Sequence, residues 1–282
     1  APAADGAAGA DAAREAPLAR CGRALDRGWL EAIAPLYSRH MGCENMGPLL
    51  YSLVRFLKPC NCLEIGAGYT SAFLLQALQD SAEEGELWRR WCEEADAAAE
   101  EDAARDAGHP SQASWVVRGA LPRLSGGVLH CVDNLAHAGT TTWHLLDVAS
   151  ALGVEGRLRL HLDDARAFLR ESEAEEPCFD FVWLDGLLDF APPRQRGGVP
   201  AGIDAFLAEL WPRVADGGYV LLHSTLTNSA VREWLAGVQD AEWGPPGSVL
   251  SLLEPHKRFQ NSVTLLQKRP PGYAEPIYSK LP

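Results

Sequence analysis

Residues 62–74, CLEIGAGYTSAFL, decide how this chain is read. Cys62, Leu63 and Ile65 form the end of an apolar strand, Gly66-Ala67-Gly68 a sharp turn, and Tyr69 opens a helix. Strand, glycine turn and helix in that order bring a ligand close to backbone at a helix N-terminus. Glu64, just before the glycines, narrows the ligand. A phosphate-cradling loop has no use for a carboxylate there, whereas a ligand with an ammonium group and a sulfonium does. Ser71 stands where the dinucleotide fingerprint has its third glycine, and no Gly-Lys-Ser/Thr is present, which excludes a nucleoside-triphosphate loop.

On either side of this stretch, strands and helices alternate. Upstream, 29–40 and 45–57 are predicted helices, the second with Leu49, Leu50, Leu53, Val54 and Leu57 at helical spacing. Downstream, a helix over 70–78 is followed by predicted strands at 128–132, 157–162, 179–184 and 219–223. Helices are expected at 140–152, from Ala165, at 201–214 and at 228–238, with Asp216-Gly217-Gly218 as a turn. Strands 248–253 and 262–266 have only a short connection between them, so they pair antiparallel. The expected fold is α/β: a Rossmann-like, doubly wound sheet of about seven strands, mostly parallel, ending in an antiparallel hairpin, with helices on both faces.

Two segments interrupt the rhythm. Residues 1–20, rich in Ala, Gly and Asp, read as a disordered tail, and the chain starts without Met, as a processed product or a piece of a longer chain does. Residues 21–282 read as one domain, into which 81–126 is inserted. Residues 83–106 carry ten acidic residues against three arginines, with Trp88 and Trp91. A solvated acidic helix packed by its tryptophans is the preferred reading, a substrate lid the other.

Composition excludes several classes. With 47% hydrophobic and 22% charged residues, the chain can bury a substantial core. A net charge of −13 argues against nucleic acid as partner. No apolar run approaches the roughly 20 residues that cross a bilayer. The seven cysteines lack a disulfide framework, and Cys60 and Cys62 read as small hydrophobes on a buried strand. The expected compartment is the cytoplasm, and a homodimer is left open.

In an open parallel sheet the ligand lies beyond the carboxyl ends of the strands. Those ends carry Glu64, Asp133, Asp164 and Asp185, then His223. A single Asp at a strand–helix junction reads more readily as a helix N-cap, whereas four consecutive strand ends carrying an acid make capping a poor account of the row. As a row they suit a ligand with a ribose diol, an adenine amino group and an α-ammonium group. S-adenosylmethionine (SAM) offers all three.

The stretches LEIGAGYTS from Leu63, FDFVWLDG from Phe179 and GGYVLLHST from Gly217 resemble class I SAM-dependent methyltransferases, closest to their small-molecule O-methyltransferase branches. The resemblance spans roughly 45–269. It implies that Glu64, Gly66 and Gly68, with Ala67, Tyr69 and Thr70, hold the methionine end of the cofactor. It implies further that Asp133, beside Asn134, accepts from the ribose. Asp164 and Ala165 would flank the adenine, and Asp185 would face the transferred methyl. Metal-dependent relatives place Asp-Asn after the fifth strand, where this chain has His223-Ser224, and Asp185 is followed by Gly186-Leu187-Leu188 where many place histidine. No metal site is therefore expected, and transfer to a small-molecule acceptor, at oxygen, is read as metal-independent.

Asp185 and His223 are the candidate catalytic residues. An imidazole ordinarily titrates close to neutral pH and can take a proton from the acceptor, and His223 reads either as that base or as a loop cap. Two rival functions share the residues: aminopropyl transfer on the same fold, although its Asp-x-x-Asp signature is absent, and a catalytically inactive binding or scaffold subunit.

Overall fold

In a computed structural model, residues 24–38, 42–105, 126–171, 179–185, 202–223, 229–254 and 262–269 are described. The N-terminal tail, the return after the acidic helix, Gly186-Leu187-Leu188 and Ser224 lie outside them.

Helix α1 (Arg27–Ile33) is capped by Asp26, whose carboxylate accepts from Trp29 N at 2.7 Å. It passes into a 3-10 turn, Ala34–Leu36, and stops short of residue 40. Helix α2 (Met46–Leu57) ends at Lys58 in the left-handed conformation, ahead of Pro59. Then follow β1 (Asn61–Ile65), α3 (Tyr69–Arg105), β2 (Val128–Val132), α4 (Leu145–Leu152), β3 (Leu158–His161) and α5 (Ala165–Glu171). The chain continues as β4 (Phe179–Leu184), α6 (Ile203–Leu210), β5 (Val214–His223), α7 (Ser229–Gly237), β6 (Ser248–Leu253) and β7 (Ser262–Gln267).

The seven strands form one sheet in the order β3-β2-β1-β4-β5-β7-β6. Pairs from β3 to β5 are parallel, and β7 lies antiparallel to both β5 and β6. The expected architecture is the observed one. Strand alternation divides the core into two layers. Cys62, Cys131, Phe181, Trp183 and Leu221 face α1 to α4, against Trp29, Leu50, Val54, Phe73 and Leu78. Leu63, Ile65, Val132, Val182 and Leu222 face the other way, against Phe168, Phe206, Leu207, Leu210 and Trp234. Strands buried on both faces explain why the segments read as apolar runs.

Two expectations are corrected. The helix after the glycine turn does not stop at 78: α3 is one helix of 37 residues, and the acidic segment is its continuation. The reason is lateral support from α2. Asp80 accepts from Tyr51 Oη at 2.5 Å, and Glu84 pairs with Arg55 at 2.8 Å and Lys58 at 2.6 Å. The Lys58 ammonium lies 5.5 Å from the Trp88 ring centre, whereas Trp91 is exposed, so only one tryptophan packs there. Second, Asp216-Gly217-Gly218 is part of β5 rather than a turn before it, because Gly217 N and Gly218 O bond to Lys268.

Candidate functional site

A cavity of about 870 Å³ opens at the carboxyl ends of β1, β2, β3 and β4. Its walls are the turn Gly66–Gly68, Tyr69 and Thr70, then Asp133 and Asn134, the segment 136–141, Asp163 to Ala165, and Asp185. Leu36, Ser38 and Cys43 close it from the N-terminal side.

The turn is shaped by what it cannot accommodate. Gly66 has φ +90°, and a Cβ there would sit 2.2 Å from the Asp185 carbonyl oxygen. At Gly68 a Cβ would sit 2.9 Å from Thr141 Oγ1. The turn's amides all find protein acceptors: Gly66 N to Val132 O, Ala67 N to Asp133 Oδ2 at 3.1 Å, and Gly68 N to Ser71 Oγ at 2.9 Å. The serine that replaced a third glycine is thus a working part of the turn.

Glu64 lies behind the turn, not on the cavity wall. It is fully buried, its Oε1 accepting from Thr70 Oγ1 at 2.6 Å and its Oε2 from Ser71 Oγ at 2.5 Å and the Cys131 thiol at 3.3 Å. Burial pushes its carboxyl up to about 7, against the lowering effect of these three bonds. Its contacts within the protein are with the helix start and the end of β2.

Asp133 Oδ1 accepts from Leu135 N at 2.6 Å, and Oδ2 from Ala67 N and, at 2.8 Å, from Thr142 Oγ1. It ties β2 to the glycine turn and is no helix cap. Asn134 accepts from Ala136 N beside it. Asp164 behaves differently: its Oδ1 caps α5 by accepting from Arg166 N and Ala167 N, while its residue still lines the cavity next to Ala165.

Asp185 ends β4, with its amide bonded to Ile65 O at 2.9 Å. Its Oδ1 stands 2.8 Å from His223 Nδ1, at the end of the neighbouring strand. His223 is 6% exposed and tilts against the Trp183 ring at 5.5 Å. Among the described residues its Nε2 has no hydrogen-bond partner. A carboxylate can only accept, so in a neutral imidazole the proton sits on Nδ1 and the lone pair on Nε2.

Sequence reasoning missed Leu36, Ser38, Cys43, His137, Thr140 and Thr141. The signal was weak, since they lie in loops without motif spacing. Asp163 was visible as the neighbour of Asp164 but was not assigned.

The lining holds four aspartates and, among the described residues, neither Lys nor Arg. A glycine turn and four aspartates along the carboxyl edge of the parallel strands define a Rossmann-like α/β domain, with the cavity where such sheets take a ligand. Residues 63–225 match a family model described as a methyltransferase domain, which is more than half of the 282 residues. The chain belongs to that family. No curated protein matches it. Solved structures resemble it in fold: the Streptomyces achromogenes O-methyltransferase TomG, involved in tomaymycin synthesis and solved with SAM, is 14% identical over 88% of this chain and 94% of its own, with a TM-score of 0.54. A Bacillus cereus O-methyltransferase in complex with S-adenosylhomocysteine (SAH) is 14% identical over 86% and 92%, with a TM-score of 0.54. The SAH-bound Podospora anserina methyltransferase PaMTH1 is 14% identical over 96% and 100%, with a TM-score of 0.52.

Proposed function

We propose that this chain methylates an oxygen of a small-molecule acceptor with SAM, without a metal ion. The observation that carries the reading is the aspartate-lined cavity beside the glycine turn, with Asp185 on its wall and His223 bonded to Asp185. The residues fit the cofactor. A volume of about 870 Å³ suits a nucleoside-sized ligand, and the aspartates suit hydroxyl and ammonium donors, while a dinucleotide would want cations for its phosphates.

Bound SAM would supply an electrophilic methyl group. Asp133 and Asn134 would accept from the ribose, Asp163, Asp164 and Ala165 would border the adenine, and Gly66 to Thr70 would hold the methionine end. Glu64 serves by fixing Thr70 and Ser71 at the helix start. His223 Nε2 would take the acceptor's hydroxyl proton while the oxygen's electron pair forms the new C–O bond and the methyl's bond to sulfur breaks, its electron pair staying on sulfur in SAH. Asp185 holds the imidazole with Nδ1 protonated. Positioning supplies most of the rate.

Calorimetry with SAH should show one saturable site. Saturable binding of a nicotinamide dinucleotide in its place would overturn the reading. Detection of methylthioadenosine instead of SAH as product would move the chain to aminopropyl transfer.

A further inference from the structure

Thr142 is 1% exposed and does not line the cavity, yet its hydroxyl sits among three oxygens of the site. Oγ1 lies 2.8 Å from Asp133 Oδ2, 2.9 Å from the Ala67 carbonyl oxygen and 2.7 Å from Thr140 Oγ1. Ala67 N donates to the same Asp133 oxygen. One buried hydroxyl therefore touches the middle residue of the glycine turn, 75 positions away in sequence, and the acid at the end of β2, 9 positions away.

A hydroxyl has one proton and two lone pairs. With Thr140 Oγ1–H donating to Thr142 Oγ1, the Thr142 proton is left for Asp133 or for Ala67 O. Given to Asp133, the proton ties the 140–142 segment to the acid that also holds Ala67 N; given to Ala67 O, it ties the segment to the turn directly. Without that hydroxyl, whichever of Asp133 Oδ2 and the Ala67 carbonyl takes its proton loses a donor, and Asp133 Oδ2 is left with the 3.1 Å bond from Ala67 N.

The geometry points to Thr142 as a positioning residue that holds Asp133 and the glycine turn in the register a ribose-bearing cofactor needs. Thr140 is its relay. The inference rests on the cofactor reading above, and adds a residue that neither the motif nor the cavity wall contains. Thr142 acts through Asp133 and Ala67, not by touching the ligand.

The test uses the full chain and SAH as the probe. Thr142→Val keeps the shape and removes the hydroxyl. It should weaken SAH by roughly 10-fold to 100-fold, the usual effect of losing a hydrogen bond to a charged group. Thr142→Ser should restore wild-type affinity. Amide exchange at Ala67 and Leu135 in the ligand-free protein should quicken in the valine variant and not in the serine variant. Should the valine variant unfold at the assay temperature, Thr140→Val removes the relay alone and should weaken SAH by several-fold. Wild-type SAH affinity in a folded valine variant, or in Thr140→Val where that variant must serve, would overturn the inference alone. A wild-type chain that does not bind SAH would overturn the proposed function and this inference with it.

Discussion

His223 Nδ1 lies 2.8 Å from Asp185 Oδ1, and the two residues end adjacent parallel strands. In a neutral imidazole that pairing puts the proton on Nδ1, and Nε2 is the nitrogen that the proposed base would use. His223→Ala should slow turnover by roughly 10²–10⁴, the range for a lost general base. SAH affinity should change little, because His223 is not on the cavity wall. Added imidazole should restore part of the rate. Full activity in the variant would make His223 structural.

Turnover should survive chelation by EDTA. Asp185 Oδ1 is already held by His223, and among the described residues no three His, Cys, Asp or Glu are placed to share an ion. Inactivation by EDTA with rescue by magnesium would refute metal-independent transfer.

Stability should carry the signature of Glu64. Burial raises its carboxyl from the ordinary 4.5 to about 7 in the folded chain. Between those values the folded state binds more protons than the unfolded, so stability falls as pH rises from 4.5 to 7 and stays lower above. A shift of that size corresponds to about 3 kcal/mol. His130, pushed down to about 4 by burial, works the other way and costs stability as pH falls from 6.5 towards 4. Subtracting wild type from Glu64→Gln cancels the His130 contribution. The difference in unfolding free energy should grow in favour of the variant from pH 4.5 to 8. A flat difference would mean that Glu64 titrates as an exposed carboxylate does.

The long helix α3 should divide into an essential and a dispensable part. Replacing 92–125 by a short Gly/Ser linker should leave SAH affinity and the thermal midpoint near wild type. Starting the deletion at Ser81 also removes Glu84, hence its pairs to Arg55 and Lys58, and should lower the midpoint. Thermal unfolding of both deletions, with SAH calorimetry, checks this. Lost turnover with retained SAH binding in the shorter deletion would make the segment a substrate lid.

The sheet was legible because its signals are local. β2, β4 and β6 occupy the residues expected of them, since apolar runs bounded by turn residues need no knowledge of neighbours. The extent of α3 was not legible: Ala and Glu favour helix everywhere from 81 onward, but continuity with the first turns depends on Arg55, Lys58 and Tyr51 of a different helix.

Sequence alone determined that a glycine turn follows the first strand and that Asp133, Asp164 and Asp185 end the others, because strand ends and turns are written in consecutive residues. Tertiary structure decided what each acid does. Glu64 turned inward to Thr70, Ser71 and Cys131, Asp164 gave one oxygen to a helix start, Asp133 joined the turn to Thr142, and Asp185 met His223. A carboxylate takes whichever donors lie within about 3 Å, and apart from those beside it in the chain, those donors come from segments that only folding brings together.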